Sequence, residues 1–105
     1  MTSYREAYKR ISAGTIAAST GFANAKTGKD AARFIEIYHM FDDELDALIA
    51  GQLKQSAAAY AAVTKAMQNG KQDLEDVVDD IGDLVNGAEI ALKIATVLSK
   101  VISVL

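Results

Sequence analysis

From Leu74 to Leu105 the apolar residues of this chain recur at steps of three and four: Leu74, Val77, Val78, Ile81, Leu84, Val85, Ala88, Ala91, Leu92, Ala95, Leu98, Ile102 and Leu105. A strand alternates its faces every second residue, so this spacing fits a helix that buries one side, and its sustained form is a heptad pattern. Zero proline in 105 residues, and an abundance of Ala, Leu, Ile, Lys, Asp and Glu, extend the same reading to the rest of the chain. The fold class expected is all-α: a single helical domain over residues 1–105, a bundle of long antiparallel helices at about 3–20, 30–68 and 72–104.

Two glycines decide how those helices are cut. Gly51 sits where the apolar spacing between Leu48 and Leu53 drifts, which marks a stutter or a hinge in the second segment. Asn86-Gly87 has the composition of a helix C-cap and turn. The apolar register nevertheless runs through Gly87, which favours one helix from about Gln72 to Val104, with a break there as the alternative. An unbroken helix of that length would be about 50 Å long, against a radius of gyration of about 13 Å for a compact chain of this size. Breaks at Gly51 and Gly87 would instead allow a compact four- or five-helix monomer.

The second segment places Phe34, Tyr38, Phe41, Leu45, Leu48, Leu53, Ala57, Tyr60, Val63 and Met67 on one side, begins at Asp30 as N-cap, and ends at Asn69-Gly70. The first helix carries Tyr4, Tyr8, Ile11 and Ile16. Residues 12–28 are mostly Ala, Gly, Ser, Thr and Asn, a composition that suits a loop or a close contact between small residues.

Charge is unevenly placed. Residues 1–40 hold six Lys/Arg against three acids, and residues 41–87 hold three against ten. This asymmetry predicts that the first helix lies along the second or third, in this chain or in a neighbour. One acidic cluster is Asp42, Asp43, Glu44 and Asp46; the other runs from Asp73 through Glu75, Asp76, Asp79 and Asp80 to Asp83. Acids at the start of a helix suit its macrodipole. The rest form a solvated face, from which Asp42, Asp43, Asp46, Asp76, Asp80 and Asp83 are the candidates for meeting a basic partner.

The chemistry-bearing motifs are sparse. Glu36 and His39 have the Glu-x-x-His spacing of di-iron bundles, but such sites need two His and four carboxylates, and this chain has one His. A dimer would have to supply the second; the wheel instead puts Glu36, His39, Asp43 and Asp46 on a polar face. Gly21 and Gly28-Lys29 lack phosphate-loop spacing, and Asp30 stands where a Ser or Thr hydroxyl is required. Arg5, Lys9 and Arg10 precede a stretch too polar for the core of a secretion signal, so residue 1 is read as the mature start. There is no Cys and no Gly-x-Ser-x-Gly nucleophile motif. A formal net charge of −3 gives no basic surplus for nucleic acid.

The expectation is therefore a non-enzymatic bundle, with no cofactor and no metal, that acts by protein–protein association. The C-terminal helix is the expected seam between copies, because its polar residues after Asn86 fall on a narrow line and its apolar arc needs covering. The residues expected there are Leu74, Ile81, Leu84, Leu92, Leu98, Ile102 and Leu105. Insertion of that helix into a membrane is the alternative, disfavoured by Lys93 and Lys100. The partner expected is a second copy or another protein, and not nucleic acid. A cytoplasmic location is favoured, with secretion without a cleaved signal as the other option.

Overall fold

A computed structural model describes residues 4–54 and 63–105. Among them the chain forms five helices: α1 (Tyr4–Asn24), α2 (Gly28–Lys54), α3 (Lys65–Asn69), α4 (Lys71–Leu84) and α5 (Ala88–Ile102). The all-α reading holds, with two long helices, α1 and α2, packed on each other and α1 also packed on α5.

Each boundary has a local cause. The small-residue segment after Ile11 is helix, not loop, and α1 continues to Asn24. The Thr27 hydroxyl accepts the Asp30 N–H at 3.1 Å, so α2 starts ahead of Asp30, which occupies its first turn. Helix α2 runs through Gly51 without a break. The 30–68 segment is not one helix, however, because Thr64 has extended backbone (φ −72°, ψ 162°) and caps a new helix, its hydroxyl accepting the Met67 N–H at 3.2 Å. Ala57 and Tyr60 of that segment lie outside the described residues.

The single helix expected over 72–104 is two helices. Val85 is extended and Gly87 has φ +93°, a conformation that side chains with a Cβ rarely adopt, so the chain reverses there. The apolar register that argued for continuity does slip: α5 buries Ala91, Ile94, Leu98 and Val101, whereas the extrapolated stripe contained Leu92 and Ala95. That slip is about one residue, or about 100° of helix rotation. Reversal keeps the molecule short, with a radius of gyration of 13.9 Å and a longest dimension of 44 Å.

The chain is thus two αα-hairpins, α1–α2 and α4–α5, bridged by α3. Their turns meet at one end of the bundle through a short antiparallel bridge between Ala25 and Val85. The Lys26 N–H donates to the Leu84 carbonyl (2.9 Å), the Asn86 N–H to the Asn24 carbonyl (2.8 Å), and the Lys26 ammonium to the Gly82 carbonyl (3.0 Å). Each hairpin so satisfies carbonyls at the helix end of the other, groups that a helix leaves without partners.

The core lies between the hairpins and is led by Phe34, Phe41, Ile11, Leu48, Met67, Leu74, Ile94 and Leu98. Positions sixty apart play matching roles: Gly14 and Leu74, Ala17 and Val77, Phe34 and Ile94, and Phe41 and Val101 are all buried. Gly14 and Gly21 make room for the α2 rings. A Cβ on Gly14 would lie 2.9 Å from the ring of Phe41, and one on Gly21 would overlap that of Phe34.

Candidate protein-binding surface

Sequence spacing gives α2 one buried row, Phe34, Ile37, Phe41, Glu44 and Leu48. Tyr38 and Leu45, read from sequence as part of that row, lie one residue off it; Tyr38 is exposed and Leu45 only partly buried. Glu44 falls on the apolar row, so it is a core residue and not part of a solvated acidic face. Only 3% of it is exposed. Its carboxylate accepts the Thr64 N–H (2.8 Å) and the Thr64 hydroxyl (2.5 Å), tying the start of α3 to the middle of α2. Sequence reasoning missed this role, although the i, i+3 step from Phe41 to Glu44 was there to be read.

The seven residues expected at a C-terminal seam separate. Leu74, Leu84 and Leu98 are buried in the chain's own core, and Ile81, Ile102 and Leu105 are partly buried against it. Leu92 alone among them stands out, at 68% exposure, beside a shallow groove lined by Ala95, Thr96, Ser99, Lys100 and Ser103. No helix among the described residues is long and apolar enough to cross a membrane.

The acidic candidates are all exposed, on two different helices. Asp80 pairs with Arg33 of α2 at 3.5 Å, and Asp76 accepts from Gln72 at 2.9 Å. Arg33, Glu36, Ile37 and Met40 border a cleft with Asp73, Asp76 and Val77 of α4. Its volume, about 140 Å³, is well below the roughly 300–1,000 Å³ of small-molecule pockets. Helical phase sends Asp42 and Asp46 to the opposite flank of α2, so the two clusters do not join. His39 is exposed and meets the Tyr38 ring edge-on, with centroids 5.9 Å apart. No three His, Asp or Glu side chains among the described residues gather as a metal site would need.

What the fold leaves uncovered is on the first hairpin. Of the seven large apolar side chains that stay exposed among the described residues, six belong to α1 and α2: Tyr8, Ile16, Phe22, Ile35, Tyr38 and Ile49. Ile16 is 69% and Phe22 50% exposed. Each helix carries a second heptad row besides its core row. On α1 it is Arg5, Lys9, Ser12, Ile16, Ser19 and Ala23; on α2 it is Ala31, Ile35, Tyr38, Asp42, Leu45 and Ile49. Residues 11–25 contain no charge at all. Three polar groups in that stretch bond back into their own helix: the Thr15 hydroxyl to the Ser12 carbonyl (2.6 Å), the Thr20 hydroxyl to the Ile16 carbonyl (3.0 Å) and the Asn24 amide to the Thr20 carbonyl (2.9 Å). Covering this face would strand few polar groups, which lowers the cost of desolvation.

Comparison with protein-family models, with curated proteins and with solved structures gives no match to this chain.

Proposed function

We propose that this protein is a non-enzymatic helical module that works by protein–protein association through the outer face of its first hairpin. The observation that carries the reading is the concentration of exposed large apolar residues on α1 and α2, six of the seven among those described. Scattered single apolar residues are ordinary on any surface, whereas four of these six, Ile16, Ile35, Tyr38 and Ile49, recur along the second heptad rows, and such a repeated pattern marks an interaction site. Its second heptad rows have the period by which helices pack on helices.

A photo-crosslinking amino acid in place of Ile35, in the cells that make the protein, tests this. Adducts of raised mass that disappear when Ile16→Asp is added support the surface; an absence of adducts contradicts it. A second reading keeps the C-terminal helix as the seam, and what favours it is the 68% exposure of Leu92 beside a shallow groove of mostly small, neutral residues. In that case the same crosslinker at position 92 would give the adducts and position 35 would not.

A further inference from the structure

Resting on that surface, we infer that its occupant is a second copy of this chain, related by a two-fold axis parallel to the helices, so that α1 of each copy lies across α2 of the other. The two outward rows carry opposite charges at the same end of the hairpin. On α1 the row begins with two exposed cations, Arg5 and Lys9, and continues neutral through Ser12, Ile16, Ser19 and Ala23. On α2 it begins apolar, with Ala31, Ile35 and Tyr38, carries one acid at Asp42, with Asp46 beside the row, and ends apolar at Leu45 and Ile49.

The level of each residue along the bundle follows from the close contacts of Gly14 with Phe41 and Gly21 with Phe34. Counting outward in opposite directions from these pairs sets Lys9 level with Asp46 and Ile16 level with His39. Within one chain these charges point away from the hairpin, and among the described residues none of Arg5, Lys9, Asp42 and Asp46 forms an ion pair. A two-fold axis along the helices keeps levels unchanged and exchanges α1 for α2. Lys9 then lies level with the partner's Asp46, with Arg5 about one turn beyond it and Asp42 about one turn before it, while Ile16 lies level with the partner's Tyr38 and Ser19 with its Ile35. An axis across the helices would instead pair α1 with α1 and leave the cations facing neutral residues.

Size is consistent with this. Helix α1 has 21 residues, so two helices about 10 Å wide sharing about 30 Å of length present roughly 600 Å² per copy. The total, about 1,200 Å², is at the lower edge of stable interfaces and fits a dimer of modest affinity.

The test is a charge exchange between two variants, each confirmed folded by circular dichroism. Arg5→Glu with Lys9→Glu makes both outer rows acidic at that end; Asp42→Lys with Asp46→Lys makes both basic. Sedimentation equilibrium should find the wild type dimeric, each variant at least about tenfold weaker in self-association, and the 1:1 mixture dimeric again. Variants that dimerise like wild type, or a mixture that stays monomeric, overturn the inference. A wild type that is monomeric throughout, while position 35 still crosslinks to a different protein, overturns the second copy and leaves the surface standing. Loss of the crosslink as well removes the surface itself.

Discussion

The two hairpins bury the same phase of their helices with opposite distributions of volume. In α4–α5 the inward residues are of similar size, Leu74, Val77 and Leu84 against Ile94, Leu98 and Val101, and the outward residues of α4 are acids. In α1–α2 the inward face of α1 is mostly Ala and Gly, and the rings of Phe34 and Phe41 cross from α2 to fill it. The consequence is an inversion. The second hairpin uses its large apolar residues inside, Leu92 excepted, while α1 keeps Ile16 and Phe22 outside. A helix that contributes small residues to its own core and large ones to its surface is arranged to pack on something else.

The contrast between the hairpins is greatest at the Phe34 ring. Phe34→Ala should destabilise the protein by about 3–5 kcal/mol in urea unfolding, since α1 offers nothing large to refill the space. A cost near 1 kcal/mol would mean that the aromatic rings do not carry the first hairpin. The contrast between neighbouring acids comes next. Glu44→Ala should cost about 1–3 kcal/mol through the Thr64 groups it leaves without an acceptor, and Asp43→Ala should stay within about 0.5 kcal/mol; equal costs would remove Glu44 from the core.

A glycine in each hairpin gives opposite signs. Gly21→Ala forces a methyl into the buried Phe34 ring and should lower stability by about 1–3 kcal/mol, overriding the gain in helix propensity. Gly82→Ala meets nothing within 4 Å and should raise stability by up to about 1 kcal/mol. Thermal unfolding of the pair checks this, and a shared sign would break the contrast. Smallest of all, Arg33→Ala should change stability by no more than about 0.5 kcal/mol, because its 3.5 Å pair with Asp80 joins side chains 35% and 54% exposed.

Much of this fold is legible in the chain. Three-and-four spacing and the lack of proline are enough for all-α, because helix period is a local property. The acids of α4 and, Glu44 apart, those of α2 announce their exposure for the same reason. What local pattern does not carry is rotation across a turn. Leu84, Ala88, Ala91, Ala95 and Leu98 keep helical spacing through Gly87, yet the reversal at Val85–Gly87 lets α5 choose its own phase. Ile94 and Val101 are therefore inside and Leu92 outside. Glu44 illustrates a second gap: its position on the apolar row is visible, but the Thr64 groups that satisfy it are twenty residues away. The outward rows of α1 and α2 are also present in the sequence, hidden by the stronger apolar signal of the C-terminal third. Only the depth to which that third is buried brings them forward.

The most direct test is the self-association of three proteins measured side by side by sedimentation equilibrium over a hundredfold concentration range: wild type, Ile35→Asp and Leu92→Asp. Both substitutions place a charge on an exposed site, one in each hairpin. The arrangement derived above predicts that wild type and Leu92→Asp form the same dimer, while Ile35→Asp remains monomeric. A dimer lost in Leu92→Asp and kept in Ile35→Asp would return the seam to the C-terminal helix and contradict the account.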